Sequence, residues 1–212
     1  EARPQSAGVS KRVSAPWLSQ FATLCTRQLS LILADFGYLL FLLFLPVIVG
    51  LLVLVVPGEG GLGPAANSTP AEPSQLIAML VIGSAFMGAS ISIRDLVGER
   101  AVFLRERAVG LPVSAYLGSK LIIFGLLSAF MAGMLTYVTL LAKTAPIQSI
   151  YFKSPAIELF LSLMLTALAA MVTGLLLSSL VKSSEQVMPL FVVFLMAQLV
   201  LNGGLLPITA GS

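Results

Sequence analysis

Long apolar runs separated by short polar stretches set the pattern of this chain. Residues 36–56, 76–93, 117–141, 156–181 and 187–206 are each almost free of charge. A membrane-crossing helix needs about 20 mostly apolar residues, and each run is close to that length. In hydrocarbon every backbone N–H and C=O must be bonded internally, so the runs are expected to be helices. They lack the apolar–polar alternation that marks the strands of a membrane barrel.

Two other stretches follow a helical period with a polar face. Residues 17–35 mix Leu18, Phe21, Leu24, Leu29 and Ile32 with Gln20, Arg27 and Gln28. That mixture predicts an amphipathic connecting helix lying along a membrane interface, anchored by Trp17. A water-facing extension of the first span is the alternative. Residues 94–109 predict a short amphipathic helix whose apolar stripe is Val97, Ala101, Leu104 and Ala108, with Gly110 and Pro112 as its stop. Half of residues 94–107 are charged: Arg94, Asp95, Glu99, Arg100, Arg105, Glu106 and Arg107. None of these has an opposite charge three or four positions away; Asp95 and Glu99 do stand four apart, and they repel. The charges therefore point to a partner off the helix, either another protein or residues 17–33. The alternative is a solvated loop.

Composition narrows the class. The chain has 212 residues, 58% hydrophobic and 10% charged, with a mean hydropathy of +1.01. Soluble domains carry roughly 25% charged residues. A soluble globule, a disordered chain and a disulfide scaffold are excluded, and an integral membrane protein remains. Cys25 is the single cysteine and there is no histidine, so no cysteine-based metal cluster or histidine base is available.

The basic residues order the topology. Arg3, Lys11, Arg12, Arg27, Arg94, Arg100, Arg105, Arg107, Lys120 and Lys182 fall on one side of the expected spans; Lys143 and Lys153 fall on the other. The positive-inside rule makes the first side, and the N-terminus, cytoplasmic. Residues 57–75 are then an external Gly/Pro-rich loop, in which Asn67-Ser68-Thr69 matches a glycosylation sequon; a three-residue match is a weak signal, and an ordinary loop is the favoured reading. No ionisable residue lies in the middle of a span, which argues against a proton-coupled carrier or a charged ion filter. Gln198 and Asn202 are the polar groups at depth; they touch substrate or hydrogen-bond a neighbouring helix. Small residues recur every fourth position at Gly125, Ala129 and Gly133, and at Ser162, Thr166, Ala170, Gly174 and Ser178. Such stripes predict close helix packing.

The charged stretch also carries a resemblance. Glu99-Arg100, Val102-Phe103, Arg105-Glu106, Gly110, Ser114-Ala115-Tyr116 and Lys120 run in an order that resembles the membrane half of ABCG-like exporters, the type-two ABC exporter fold. Gln20, Arg27 and Asp35 upstream, and Asn202-Gly203-Gly204-Leu205-Leu206-Pro207 downstream, are similar to flanking parts of that pattern. The resemblance implies an all-helical bundle of six spans per half, five of them visible here and the sixth expected beyond Ser212. It implies that 94–109 is a coupling helix and that Glu99, Arg100, Phe103, Arg105, Glu106 and Arg107 dock on a cytosolic nucleotide-binding domain. A homodimer of halves would carry substrate along its axis, lined mainly by spans two and five, which nominates Phe86, Ser90, Phe194, Gln198 and Asn202. ATP and Mg would belong to the nucleotide-binding domain, because no G-x-x-x-x-G-K-[ST] phosphate loop occurs in these 212 residues. Residues 1–16 are expected to be a polar linker from that preceding domain, and 36–212 the transmembrane domain. The chain is similar to the mycobacterial kind with leading FHA domains, which implies export of cell-envelope lipids or glycolipids across the plasma membrane. Membrane lipids are the other expected partners, and nucleic acid is not one. A channel or secondary carrier, and a non-transporting membrane scaffold, are the competing functions.

Overall fold

The computed structural model describes residues 16–58, 60–63, 72–144, 146 and 152–202. Most of the expected linker, the 67–69 sequon and the end of the fifth run lie outside these residues. The described elements are α1 (Trp17–Ala34), α2 (Phe36–Leu52), α3 (Glu72–Ser92), α4 (Asp95–Gly98), α5 (Arg100–Val109), α6 (Val113–Ala142), α7 (Pro155–Leu180) and α8 (Ser184–Leu201). Among the described residues there is no strand. Among the described residues four segments are long and apolar enough to cross a membrane: Phe36–Val55, Glu72–Gly98, Val113–Ala142 and Pro155–Leu180. The fifth run is helical in α8, but the apolar stretch described there, Glu185–Leu201, is shorter than these four.

Asp35 separates α1 from α2. Its backbone leaves the helical region (φ −87°, ψ 89°), and its Oδ1 accepts the Tyr38 N–H at 3.0 Å, capping α2. The chain therefore turns here instead of extending the span. α1 packs along α6, with Leu24 buried beside Ala115 and Tyr116. Trp17 stacks on Phe21 at 5.2 Å and donates its indole N–H to Ser114 Oγ at 3.1 Å.

The expected single helix over 94–109 is broken. α4 ends at Gly98, Glu99 has non-helical backbone (φ −92°, ψ 2°), and α5 restarts at Arg100. The break lets Asp95 and Glu99 reach the same lysine from two short segments. α5 closes in a Schellman motif: Gly110 N–H bonds the Arg107 carbonyl and Leu111 N–H the Glu106 carbonyl. Gly110 sits at φ 111°, where a Cβ is strained. Gly110→Ala is expected to cost about 1–2 kcal/mol, read as a lower midpoint of thermal unfolding in detergent.

α3 is the central helix, packed against α7, α6, α8 and α2. Glycine makes the α3–α7 contact: a Cβ at Gly88 would overlap the Ala167 carbonyl oxygen, and one at Gly174 would overlap Ser92 Oγ. Ser92 Oγ crosses the interface to donate to the Met171 carbonyl at 2.8 Å. Gly50 likewise admits Val138 of α6, and Gly83 admits Val49 of α2. The expected stripes are only partly the packing faces. Ala170, Gly174 and Ser178 are buried, whereas Ser162 is exposed and the Thr166 hydroxyl returns to the Ser162 carbonyl. Gly125 and Gly133 meet Leu168 and Phe160 of α7 at ordinary contact distance, and Ala129 is half-buried between them in sequence.

The outer surface is apolar. Phe44, Ile48 and Leu51 on α2, Ile122, Leu126 and Phe130 on α6, and Leu165, Val172 and Leu176 on α7 are all exposed. In water such ridges drive aggregation; in hydrocarbon they are the solvated face.

Candidate functional site

Two buried charge clusters stand at opposite ends of α6. Lys120 anchors one and Lys143 the other. The 23 helical steps from one to the other span about 35 Å, slightly more than the roughly 30 Å hydrocarbon core of a bilayer. The cluster at Lys143 is small: its Nζ pairs with the fully buried Glu72 at 3.2 Å and donates to the Val56 and Gly58 carbonyls. Glu72 Oε1 also accepts the Gly61 N–H at 3.0 Å, so the pair ties the end of α2 and the following turn to α3 and α6.

The cluster at Lys120 joins four helices. Lys120 is 1% exposed, yet its ammonium lies 2.6 Å from Asp95 Oδ2 and 2.8 Å from Glu99 Oε2. It also donates to Gln28 Oε1 at 2.9 Å, and the Gln28 amide turns its nitrogen toward Asp95 Oδ1 at 3.4 Å. Tyr116 donates its hydroxyl to Glu99 Oε2 at 3.1 Å. The rings of Tyr116 and Phe124 stand 5.3 and 5.8 Å from the ammonium. Arg27 of α1 completes the node, 2.5 Å from Glu106 and 3.7 Å from Glu99. A buried charge is tolerated only when it is paired and hydrogen-bonded, and this lysine has every donor committed. The three carboxylates that find no partner within 94–107, Asp95, Glu99 and Glu106, thus find Arg27, Gln28 and Lys120. On the same helix as Arg27, partial burial raises the Cys25 thiol above its ordinary pKa.

The expected apolar stripe of the coupling segment is corrected by the structure. Ala101, Leu104 and Ala108 are exposed. The inward face of α5 is Phe103 and Glu106, with Glu99 just before it. Phe103 packs on Tyr116 with ring centroids 4.6 Å apart and joins Leu24 and Leu111. Burying one phenyl ring returns more free energy than burying two alanine methyls, and the flanking carboxylates are drawn the same way by Arg27. The six nominated coupling residues therefore split. Glu99, Phe103 and Glu106 fasten α5 to α1 and α6. Arg100, Arg105 and Arg107 stand exposed beside Val102, Leu104 and Val109.

Next to the node a cavity of about 570 Å³ opens between α1, α2, α3, α4 and α8. Gln28, Asp35, Asp95, Glu99 and Arg94 line its polar end; Phe41, Phe86, Phe124, Met188 and Phe191 line the rest. Two of the nominated pathway residues, Phe86 and Ser90, are in this wall. The other three are elsewhere. Phe194 packs in the cluster built around Ala85, Ala89 and Val187. Gln198 is half-buried on α8, and Asn202 donates to the Ala78 carbonyl at 2.8 Å, fastening α8 to α3. Phe191, one turn before Phe194, is the aromatic that reaches the cavity, 5.6 Å from the Phe86 ring. Tyr38, Phe41 and Met188 were not expected there, since their apolar runs show only that they lie in helices. Among the described residues no group of three or more acidic, histidine or cysteine side chains is placed to hold a metal ion.

Lys120, shared by Asp95 and Glu99, is thus the centre of the described charge network. The family described as ABC-2 type transporter matches residues 19–210. The chain belongs to that family. An ABC transporter ATP-binding/permease protein of Mycobacterium tuberculosis is 44% identical over 193 residues, covering 90% of this chain and 22% of the relative. The chain thus spans about a fifth of that protein's length. No solved structure matches it. As an ABC-2 membrane domain, the chain is a multi-pass helical bundle, and the charged pattern from Asp95 to Lys120 falls on α4, α5 and the start of α6.

Proposed function

We propose that this chain is the membrane half of an ATP-driven exporter, that α5 receives the stroke of a nucleotide-binding domain, and that the cavity beside the node admits an amphipathic cell-envelope lipid or glycolipid. The observation that carries this reading is the two-sided build of α5. One side is clamped to α1 and α6 through Phe103, Glu99 and Glu106; the other presents three arginines and three apolar side chains to solvent. A push on such a helix is passed to α6 by an ion pair at 2.8 Å and to α1 by one at 2.5 Å. Rigid, fully packed links of this kind carry displacement between sites.

The clamped end faces the cytoplasm in this reading, together with the N-terminus, and the Glu72–Lys143 pair marks the outer face. The separation of the two clusters supports that placement. The nucleotide-binding domain precedes Glu1 in the same chain, binds ATP and Mg, and a second copy of the half completes the pathway. The relative whose name joins ATP-binding and permease functions supports the fusion.

Arg100→Glu, Arg105→Glu and Arg107→Glu combined are expected to leave the bundle folded, because none of the three is buried. In vesicles containing the full-length transporter they should cut ATP-driven transport at least about tenfold, since charge complementarity at a docking surface is inverted. Unchanged transport would remove α5 as the docking element.

A further inference from the structure

We infer that the cavity beside the node selects amphiphiles with a cationic head group. The inference deepens the exporter reading, since it names the substrate class of that same cavity.

The first argument is the order of charges. The node holds two cations, Arg27 and Lys120, against three carboxylates, Asp95, Glu99 and Glu106. Asp95 and Glu99 line the cavity; Lys120 and Arg27 do not. The pairs that Lys120 makes with Asp95 and Glu99 therefore present their carboxylate residues, and not the lysine, to the cavity. Asp35 adds a third carboxylate to the lining, and Arg94 is its one cation. The node and the lining together carry one negative charge in excess. Beside hydrocarbon, such a charge is screened far less than in water.

The second argument is the rest of the wall. Tyr38, Phe41, Phe86, Phe124 and Phe191 supply five aromatic rings. Ring faces attract ammonium groups, most strongly where water is excluded. Tyr38 and Phe124 stand beside the charged groups, and other rings extend away from them. Phe41 lies about 9 Å along α2 from Asp35, and Phe86 about 9 Å along α3 from its end at Ser92. A head group at the carboxylates would thus place its apolar tail along the rings. An anionic head group meets the carboxylates first and is opposed by them.

The test uses the full-length transporter in nanodiscs without nucleotide. Radiolabelled dodecyltrimethylammonium is the probe, with dodecyl sulfate and dodecyl maltoside as competitors of equal chain length and protein-free nanodiscs as the background. The cation is expected to bind roughly tenfold more tightly than the sulfate. Asp35→Asn keeps an acceptor for the Tyr38 N–H, so α2 stays capped, but removes the charge. It is expected to weaken cation binding by roughly three- to tenfold and leave the maltoside unchanged. Equal binding of all three probes, or undiminished cation binding in Asp35→Asn, would overturn the assignment. ATP-driven transport is read separately in the same preparation. Selective cation binding without transport would sink the export reading and leave the head-group assignment standing.

Discussion

Lys120→Met is expected to destabilise the membrane domain by about 3–5 kcal/mol, the cost of stripping the partner from a buried charge. The side chain is 1% exposed, so no water replaces the lost ammonium. Asp95 would be left with the Gln28 amide at 3.4 Å, and Glu99 with Tyr116 and an Arg27 nitrogen 3.7 Å away. Two carboxylates four residues apart would then face each other with little between them. For a chain of this size the loss corresponds to a fall in thermal midpoint of roughly 10 °C. The decisive comparison is the double variant. Asp95→Asn in the Lys120→Met background removes the stranded charge and should restore more than half of the loss. If the double variant is no more stable than Lys120→Met alone, the lysine acts through packing of its alkyl stem, and the electrostatic account of the node is wrong.

Gly88→Leu is expected to abolish the folded monodisperse species in size-exclusion chromatography. Even Gly88→Ala places a carbon inside the contact radius of the Ala167 carbonyl, a backbone atom that cannot rotate away. Overpacking of this kind costs about 1–3 kcal/mol per added group, and the larger side chain has no exit between α3 and α7. Gly174→Ala should be milder, because the atom it meets first is the Ser92 hydroxyl, which can swing at the expense of its bond to Met171. Gly98→Ala is the control: nothing lies within 4 Å of its Cβ, and its stability should stay within about 0.5 kcal/mol of the parent. Equal behaviour of Gly88→Ala and Gly98→Ala would show that the two helices are not in backbone contact.

Four of the five expected spans were legible among the described residues because an apolar helix in hydrocarbon needs little from its neighbours: length and lack of charge suffice. Asp35 as the junction before the first span, and Gly110 as the stop of α5, were legible for the same local reason. The face of α5 was not. Of the periodic residues Val97, Ala101, Leu104 and Ala108 only Val97 packs inward, and on α5 the inward apolar side chain is the half-buried Phe103, between Glu99 and Glu106. Hydropathy patterns count apolar residues along one helix. They do not register that Arg27, on a helix more than 70 positions away, supplies the charge those two glutamates need. Phe191 and Phe194 lie in one apolar run, and only the placement of α3 against α8 decides which of them lines the cavity. The small-residue stripes of α6 and α7 were visible, whereas Gly50, Gly83 and Gly88 were missed because each is set by what approaches from another helix.

By itself the sequence determined the class of this protein: apolar runs of spanning length, a charged segment at one end of the second span, and a motif order resembling an ABC exporter's membrane half. These follow from residue chemistry and local spacing, which no folding partner can alter. Only the tertiary structure decided which charges pair, which side of α5 is left free and where the cavity lies. The pairing energies act through space between residues 27, 28, 95, 99, 106 and 120, and their geometry exists only once α1, α4, α5 and α6 have packed.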